Sequence, residues 1–305
     1  MDSKGATRAV KQTTTESLTG CARFLRERGP SGAADADFVR FGMATQYLRA
    51  FVDSEWTNQM VFGQHPTVSR NNRKGRAFMR AEATEADEQF RNQQRTERIA
   101  ELLFNLQNVE GIDARLEDLR LGRVESTFAE LEAGAFLRRR AVPFRYINPS
   151  GTKGADYDAE ITLHETIKVN CEMKSKTEGT DLGEGAIRNP LQPARKQLPP
   201  REPGLVFLKV PEPWVQQPEA ARILPTIIDA FLRGTSRVTA VVLRWEEQQL
   251  VRSGGALILY KFRLERGSPP KVVAPPVERL LTVLTGPATA EWVSFRAIAE
   301  QAMVK

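Results

Sequence analysis

Apolar and polar residues alternate strictly along Ala155–Lys176, ADYDAEITLHETIKVNCEMKSK. Tyr157, Ala159, Ile161 and Leu163, then Ile167, Val169, Cys171 and Met173, take the odd positions. Asp156, Asp158, Glu160 and Thr162, then Lys168, Asn170, Glu172, Lys174 and Lys176, take the even ones. A period of two over consecutive runs predicts two strands of a hairpin with one dry and one wet face. A three-residue loop at His164-Glu165-Thr166 pairs Leu163 with Ile167. That register sets Asp158 opposite Glu172 and Asp156 opposite Lys174. A one-residue slip would point the two apolar faces apart, so the parity is well constrained.

The rest of the chain shifts to helical spacing on both sides of this hairpin. Residues 1–32 are rich in Thr, Ser, Gly and charge and are expected to be largely disordered, with a short helix over Ser17–Arg28. Asp35 or Asp37 caps a helix running to about Trp56. Gln64–Arg76 reads as a loop, and Glu85–Val109 as a helix broken by Gly111. A short helical turn spans Ile112–Leu121, then a helix covers Val124–Arg140, and a first strand Phe144–Ile147. Beyond the hairpin, Thr177–Pro193 reads as a Gly-rich connection and Ala194–Leu198 as a helix. A short apolar strand follows at Gly204–Val210. A helix at Glu219–Arg233, kinked or started by Pro225, precedes an edge hairpin of Arg237–Trp245 and Ala256–Glu265. Trp292 and Phe295 in the last stretch are placed to anchor it to the body.

These elements predict an α/β chain with a mixed central sheet of five or six strands flanked by helices, preceded by an N-terminal helical extension. The expected divisions are residues 1–32, a helical extension at 33–121, a core at 122–266 and a C-terminal tail at 267–305.

Composition narrows the chemistry. Lys and Arg number 44 against 38 Asp and Glu, a net charge of +6, which permits a nucleic-acid partner without requiring one. Cys21 and Cys171 read as free thiols in a reducing compartment, so a cytoplasmic setting is expected. There is no apolar run long enough for a membrane span and no apolar stretch of the secretory kind near Met1. His65 and His164 are the only histidines, which leaves little room for His-based zinc hydrolases. No G-x-x-x-x-G-K-[ST] occurs, so Walker-type NTP hydrolysis is excluded. Gly151-Thr-Lys-Gly154 shapes a turn rather than a phosphate cradle.

On the wet face of the hairpin, opposed carboxylates repel unless a cation sits between them. Oxygen ligands at this spacing suit a hard divalent ion, Mg²⁺ or Mn²⁺. A lysine beside such an ion can orient a water or stabilise a phosphorane-like transition state. The competing reading is a solvated sheet face with an Asp156–Lys174 salt bridge, since polar outer faces are normal for antiparallel sheets.

Asp158 followed fourteen residues later by Glu172-Met173-Lys174, the one Glu-x-Lys of the chain, resembles the core of the PD-(D/E)XK nuclease superfamily. That superfamily includes restriction endonucleases, archaeal Holliday-junction resolvases and RecB-type nucleases. The resemblance covers roughly Glu125–Val210 and implies a restriction-endonuclease-like fold. It also implies an acidic residue on the helix before the hairpin. Glu130 fits, with Leu137 seven residues on and Ala141 closing the helix, and Glu132 is the fallback. The helix after the second strand is implied to present a polar residue, Gln197 or else Lys196. Tyr157 stands where the family often has proline, which leaves Asp156 as a rival to Asp158.

The implied activity is Mg²⁺-dependent phosphodiester hydrolysis, with Mn²⁺ as a substitute and DNA as the expected substrate. Glu130, Asp158 and Glu172 would hold metal, Lys174 would orient water or stabilise charge, and Gln197 would assist. Arg70, Arg73, Lys74 and Arg76 on the basic loop, with Lys176, are candidates to contact the nucleic-acid backbone. The alternative is a catalytically silent nucleic-acid-binding or assembly subunit that keeps the fold. Family members that cut both strands often form homodimers, so a second copy or a partner subunit is also an expected partner.

Overall fold

The computed structural model describes residues 13–29, 35–64, 69–148, 151–152, 156–164, 167–250 and 256–304. The expected disorder before residue 13, the stop at 30–32, His65, the second half of the 151–154 turn and the tips of both hairpins lie outside these residues. Among those described, no helix is long and apolar enough to cross a membrane. The chain divides into two compact units.

The first unit comprises Met1–Gln107, Leu116–Val124 and Trp292–Lys305. It holds α1 (Thr15–Arg28), α2 (Ala36–Phe51), α3 (Ser54–Met60), α4 (Arg70–Met79), α5 (Ala86–Leu106) and the last helix, α12 (Phe295–Val304). Capping explains most of these starts. The side chains of Thr14, Asp35, Asp53 and Ser69 accept first-turn N–H groups, which otherwise lack partners. The Asp53 cap divides the helix expected to reach Trp56 into α2 and α3. Packing centres on α2, where Tyr47 stacks on Phe51 and meets Phe104 and Phe295 edge-on. The Trp292 indole donates to Glu101 at 2.7 Å, and Asn105 both donates to and accepts from the backbone of Val293. The C-terminal segment is therefore tied to α5 as well as packed beside it.

The basic stretch is helical, not a loop. Ser69 caps α4, and Phe78 and Met79 bury its end. Arg70, Arg73 and Lys74 lie at helical spacing on its exposed face, with no acidic partner among the described residues. Arg76 points elsewhere, pairing with Glu82 at 2.5 Å and donating to the Gly63 carbonyl.

The second unit comprises Asn108–Arg115 and Glu125–Glu291. Its sheet runs β1 (Phe144–Tyr146), β2 (Ala159–His164), β3 (Ile167–Ser175), β4 (Gly204–Lys209), β5 (Ala240–Leu250) and β6 (Ala256–Arg266), in spatial order of sequence. The β3–β4 and β4–β5 pairs are parallel and the others antiparallel, giving a six-stranded mixed sheet among the described residues. The two parallel connections each carry a helix, α8 (Glu184–Gln197) and α10 (Ala220–Arg233). Both cover one face, packing Ile187, Leu191, Leu224 and Ile228 on Val206, Leu208, Val241 and Leu243. On the other face Phe136, from α7 (Val124–Arg138), meets Phe207 and Phe262. A short helix α9 (Glu212–Gln216) and α11 (Pro275–Thr285) complete the unit. The helix α6 (Ile112–Arg120) spans the division between the units in sequence.

Two expectations fail here. The connection at Thr177–Pro193 is not all loop, because α8 begins at Glu184 and takes in Pro190 and Pro193. Each proline removes one helical hydrogen bond. Ile187, Leu191 and Ala194, fully buried at spacings of four and three, hold the helix to the sheet regardless. The wet face of the hairpin is also wet only near its turn, where Thr162 and Lys168 are exposed. Asn170 and Glu172 are buried, because β3 is an interior strand and its even residues share a face with Val206 and Leu208 beneath α8 and α10, and Glu160 of β2 is buried among Tyr157, Arg145 and Lys168.

Candidate functional site

The hairpin ladder pairs Ala159 with Cys171, Ile161 with Val169 and Thr162 with Lys168, the register that the alternation predicts. An irregularity between Thr162 and His164 then sets His164, not Leu163, opposite Ile167. Strand β2 starts only at Ala159, so Asp156 and Asp158 precede it and the expected Asp156–Lys174 pairing is absent from the ladder.

Backbone bonds fix Asp158 just before the ladder begins. Its N–H donates to the Cys171 carbonyl at 2.9 Å, and its carbonyl accepts from Ile147 at 3.0 Å. Its side chain reaches across to β3, where Oδ2 accepts the Met173 N–H at 2.6 Å. Asp156 instead turns its carboxylate to the Gly151 N–H at 3.0 Å. Gln197, at the end of α8, donates its amide to the Asp156 carbonyl at 3.2 Å. It tethers the segment that carries Asp158 rather than reaching Glu172 directly. Lys196 is exposed.

Glu172 is completely buried on β3. Its Oε1 pairs with Lys174, whose side chain is a quarter exposed, while Oε2 is buried with no hydrogen-bond partner. Burial pushes the Glu172 carboxyl up to about 8. The negative charge of Asp158 adds to this, Lys174 opposes it, and Glu130 adds a smaller push. Cys171, behind them on the other face, has its thiol pushed up by burial and by the same two acids, Asp158 and Glu172. Glu172 therefore sits within the fields of Asp158, Glu130 and Lys174, drawn from β3, α7 and the lead into β2.

The two acids of α7 part company. Glu130 is mostly buried and pairs through Oε2 with Arg115. Glu132, fully buried, pairs with Arg244 at 3.3 Å, and Arg244 also pairs with Glu246. Lys209 completes that second cluster, 3.6 Å from Glu246 and over the Phe128 ring. The charge that acts on Glu172 from α7 is that of Glu130.

Asp158, Glu172 and Glu130 are thus each engaged by a protein donor, and no three His, Cys, Asp or Glu side chains among the described residues form a group that could hold a metal ion. Lys176, just past β3, is half-buried and its N–H donates to the Lys209 carbonyl. Arg140 packs on Phe136 and donates to the Leu284 carbonyl, whereas Arg138 and Arg139 are exposed. Two clefts are lined by other residues. One of about 580 Å³ in the first unit includes Arg73, Arg76 and Arg80, and one of about 460 Å³ in the second lies by Lys168, Arg201 and Lys271.

Residue-by-residue reading of the chain missed two participants. Arg115 lies in a segment whose pattern showed only a short helical turn. Glu160, an even position of the hairpin, gathers Tyr157, Arg145 and Lys168 around a buried carboxylate. Alternation marks such a residue as solvated, and nothing local signals otherwise.

No family model, curated protein or solved structure matches the chain.

Proposed function

We propose that this chain is a metal-dependent nuclease that hydrolyses phosphodiester bonds in DNA, with its site at Asp158, Glu172, Lys174 and Glu130. The observation that carries the reading is the buried Glu172 carboxylate, one oxygen paired with Lys174 and the other unpartnered, under the charges of Asp158 and Glu130. An acid so placed is costly as an anion unless a cation approaches it. An unpartnered buried carboxylate oxygen within the negative fields of two further acids suits a hard divalent ion, Mg²⁺ or Mn²⁺. Asp158, Glu172 and Glu130 would hold it.

When bound, such an ion supplies Lewis acidity at the scissile phosphate. The protein residues account for the rest. Lys174 is fixed beside Glu172 yet open to solvent on one side, so its ammonium can orient an attacking water and offset charge on the phosphate oxygens. Gln197 holds the Asp156 carbonyl and so keeps Asp158 aligned with the Met173 N–H. Arg70, Arg73 and Lys74 of α4, with no acidic partner among the described residues, suit phosphate-backbone contact, as does Lys176, two residues past Lys174 and just beyond β3. The preference for DNA over RNA comes from the resemblance alone.

A second reading is favoured by one observation, the lack of a ligand group in metal-holding arrangement among the described residues. On that reading the fold binds nucleic acid, or a partner subunit, without cutting. One experiment separates the two. Wild type and Lys174→Ala are incubated with supercoiled, linear and single-stranded DNA and with RNA, each with Mg²⁺, Mn²⁺ or EDTA. Metal-dependent cutting of DNA that the variant loses supports the nuclease. Binding that chelator leaves untouched, with no cutting, supports the silent module.

A further inference from the structure

We infer that the cleft of about 460 Å³ at the amino ends of β3, β4 and β5 binds a small phosphate ester, with Arg201, Lys271 and Lys168 on its phosphate and the apolar lining on its body. The inference is independent of the cation site proposed above.

The fold brings four separate segments to this place. β3 opens with Ile167 and Lys168, β4 with Gly204 and β5 with Ala240, and the stretch before α11 borders them. Hydrogen bonds lock the segments together. The Asn170 N–H donates to the Pro203 carbonyl at 3.0 Å, and the Thr239 N–H to the Gly204 carbonyl at 2.7 Å. Lys271 ties in the last segment, its ammonium donating to the carbonyls of Thr235 and Val238. Lys168 and Lys174 stand at opposite ends of β3, about 20 Å apart at about 3.3 Å per residue. The cleft is therefore a place of its own, away from Lys174.

Its charge is unbalanced. Arg201, Lys271 and Lys168 line it against a single acid, Glu202, whose Oε2 accepts the Asn170 amide at 2.7 Å. Lys168 shares its charge with buried Glu160, 3.1 Å away. Arg201 and Lys271 have no acidic partner among the described residues. An ammonium carries three N–H donors, so the two carbonyls leave one N–H of Lys271 for a ligand. Burial holds the Lys271 ammonium below its ordinary pKa, a cost that a bound anion offsets. The cleft of the first unit has no such excess, since Arg73, Arg76 and Arg80 are matched there by Glu82, Glu85 and Glu88.

The lining suits an anion with a carbon body. Arg201 sits on a turn between Pro199, Pro200 and Pro203, whose fixed φ angles present its guanidinium at little entropic cost. Ile167, Val273 and Val277 line the same cleft, and Val272 beside them is wholly exposed. Ser236 and Thr239 add hydroxyls. Charged donors for a phosphate beside apolar surface fit an organic phosphate better than a bare anion. The volume lies within the about 300–1,000 Å³ usual for small-molecule sites.

The test is isothermal titration calorimetry on the full chain in EDTA, with inorganic phosphate, glycerol 3-phosphate, ribose 5-phosphate and AMP as probes. At least one ester should bind about fivefold or more tightly than inorganic phosphate. Lys271→Met should weaken that ester about tenfold or more. Arg201→Gln, on an exposed turn, should weaken it about threefold or more. If Lys271→Met fails to fold by circular dichroism, Arg201→Gln carries the comparison. Esters that bind no more tightly than inorganic phosphate overturn the inference, as does ester binding that a folded variant leaves at wild-type strength. A single-stranded DNA oligonucleotide is titrated in parallel. DNA binding that falls in both variants, with no binding of the esters, assigns the cleft to a nucleic-acid backbone and overturns the small ligand.

Discussion

Glu172→Gln removes a buried acid whose ionisation the fold opposes, and it should stabilise the metal-free protein at alkaline pH. The Glu172 carboxyl is raised from 4.5 to about 8, so the folded state holds a proton that the unfolded state releases. For an acid raised in the folded state, stability is highest below the unfolded value and falls as pH rises through the folded one. The window is therefore about pH 4.5 to 8. Across it, linkage gives an upper bound of about 3 kcal/mol lost by pH 7 and about 5 kcal/mol well above pH 8. The shared field of Asp158 and the pairing with Lys174 bring the expected difference at pH 8 down to about 1–3 kcal/mol. Glutamine keeps the shape and cannot ionise. The assay is urea or thermal unfolding in EDTA at pH 5, 6, 7, 8 and 9. The variant should match wild type at pH 5 and exceed it by about 2–10 °C in Tm at pH 8. Mg²⁺ at pH 8 should raise the Tm of wild type and leave that of the variant unmoved. A difference that does not change with pH, or a variant less stable than wild type at pH 8, would refute the reasoning.

Three further outcomes can be checked separately. Gln197→Ala removes the tether to the Asp156 carbonyl, costing about 1 kcal/mol of stability and slowing cleavage at least about tenfold as Asp158 loses its alignment, measured by unfolding and by single-turnover cleavage. Arg244→Met weakens the compensation of fully buried Glu132 and should destabilise by about 3 kcal/mol, whereas Arg244→Met/Glu132→Leu should recover most of that loss in a denaturant titration. Replacing Arg70, Arg73 and Lys74 by glutamine should flatten the dependence of log affinity on log salt for duplex DNA by about 3, read by fluorescence anisotropy.

The hairpin was legible because one physical rule, alternation, settled its parity and its register from Ala159–Cys171 to Thr162–Lys168. At the turn the register departs from that rule, and Asp158 lies just before β2 rather than paired with Glu172 in the ladder. Alternation also misled, since it equates polar with solvated. Glu172 and Asn170 are polar and buried, a combination that depends on β3 being an interior strand covered by α8, and Glu160 of β2 is buried by its own ion pairs with Arg145 and Lys168. Prolines at 190 and 193 argued against a helix locally, and burial of Ile187 and Leu191 overrode them. In α4 the reverse held, because a run of Arg and Asn hid a helix whose only local signs are the Ser69 cap and the apolar pair at its end. Arg115 was beyond reach of the sequence altogether. Its role arises from contacts with Glu130, 15 residues on, and Ile147, 32 residues on.

The central claim is that Asp158 and Glu172 form a site for a divalent cation, and calorimetric titration of Mn²⁺ into wild type, Asp158→Asn and Glu172→Gln tests it most directly. The account predicts one saturable site in wild type that each substitution abolishes or weakens at least about a hundredfold. Wild type that takes up no Mn²⁺, or variants that bind it as wild type does, would contradict it.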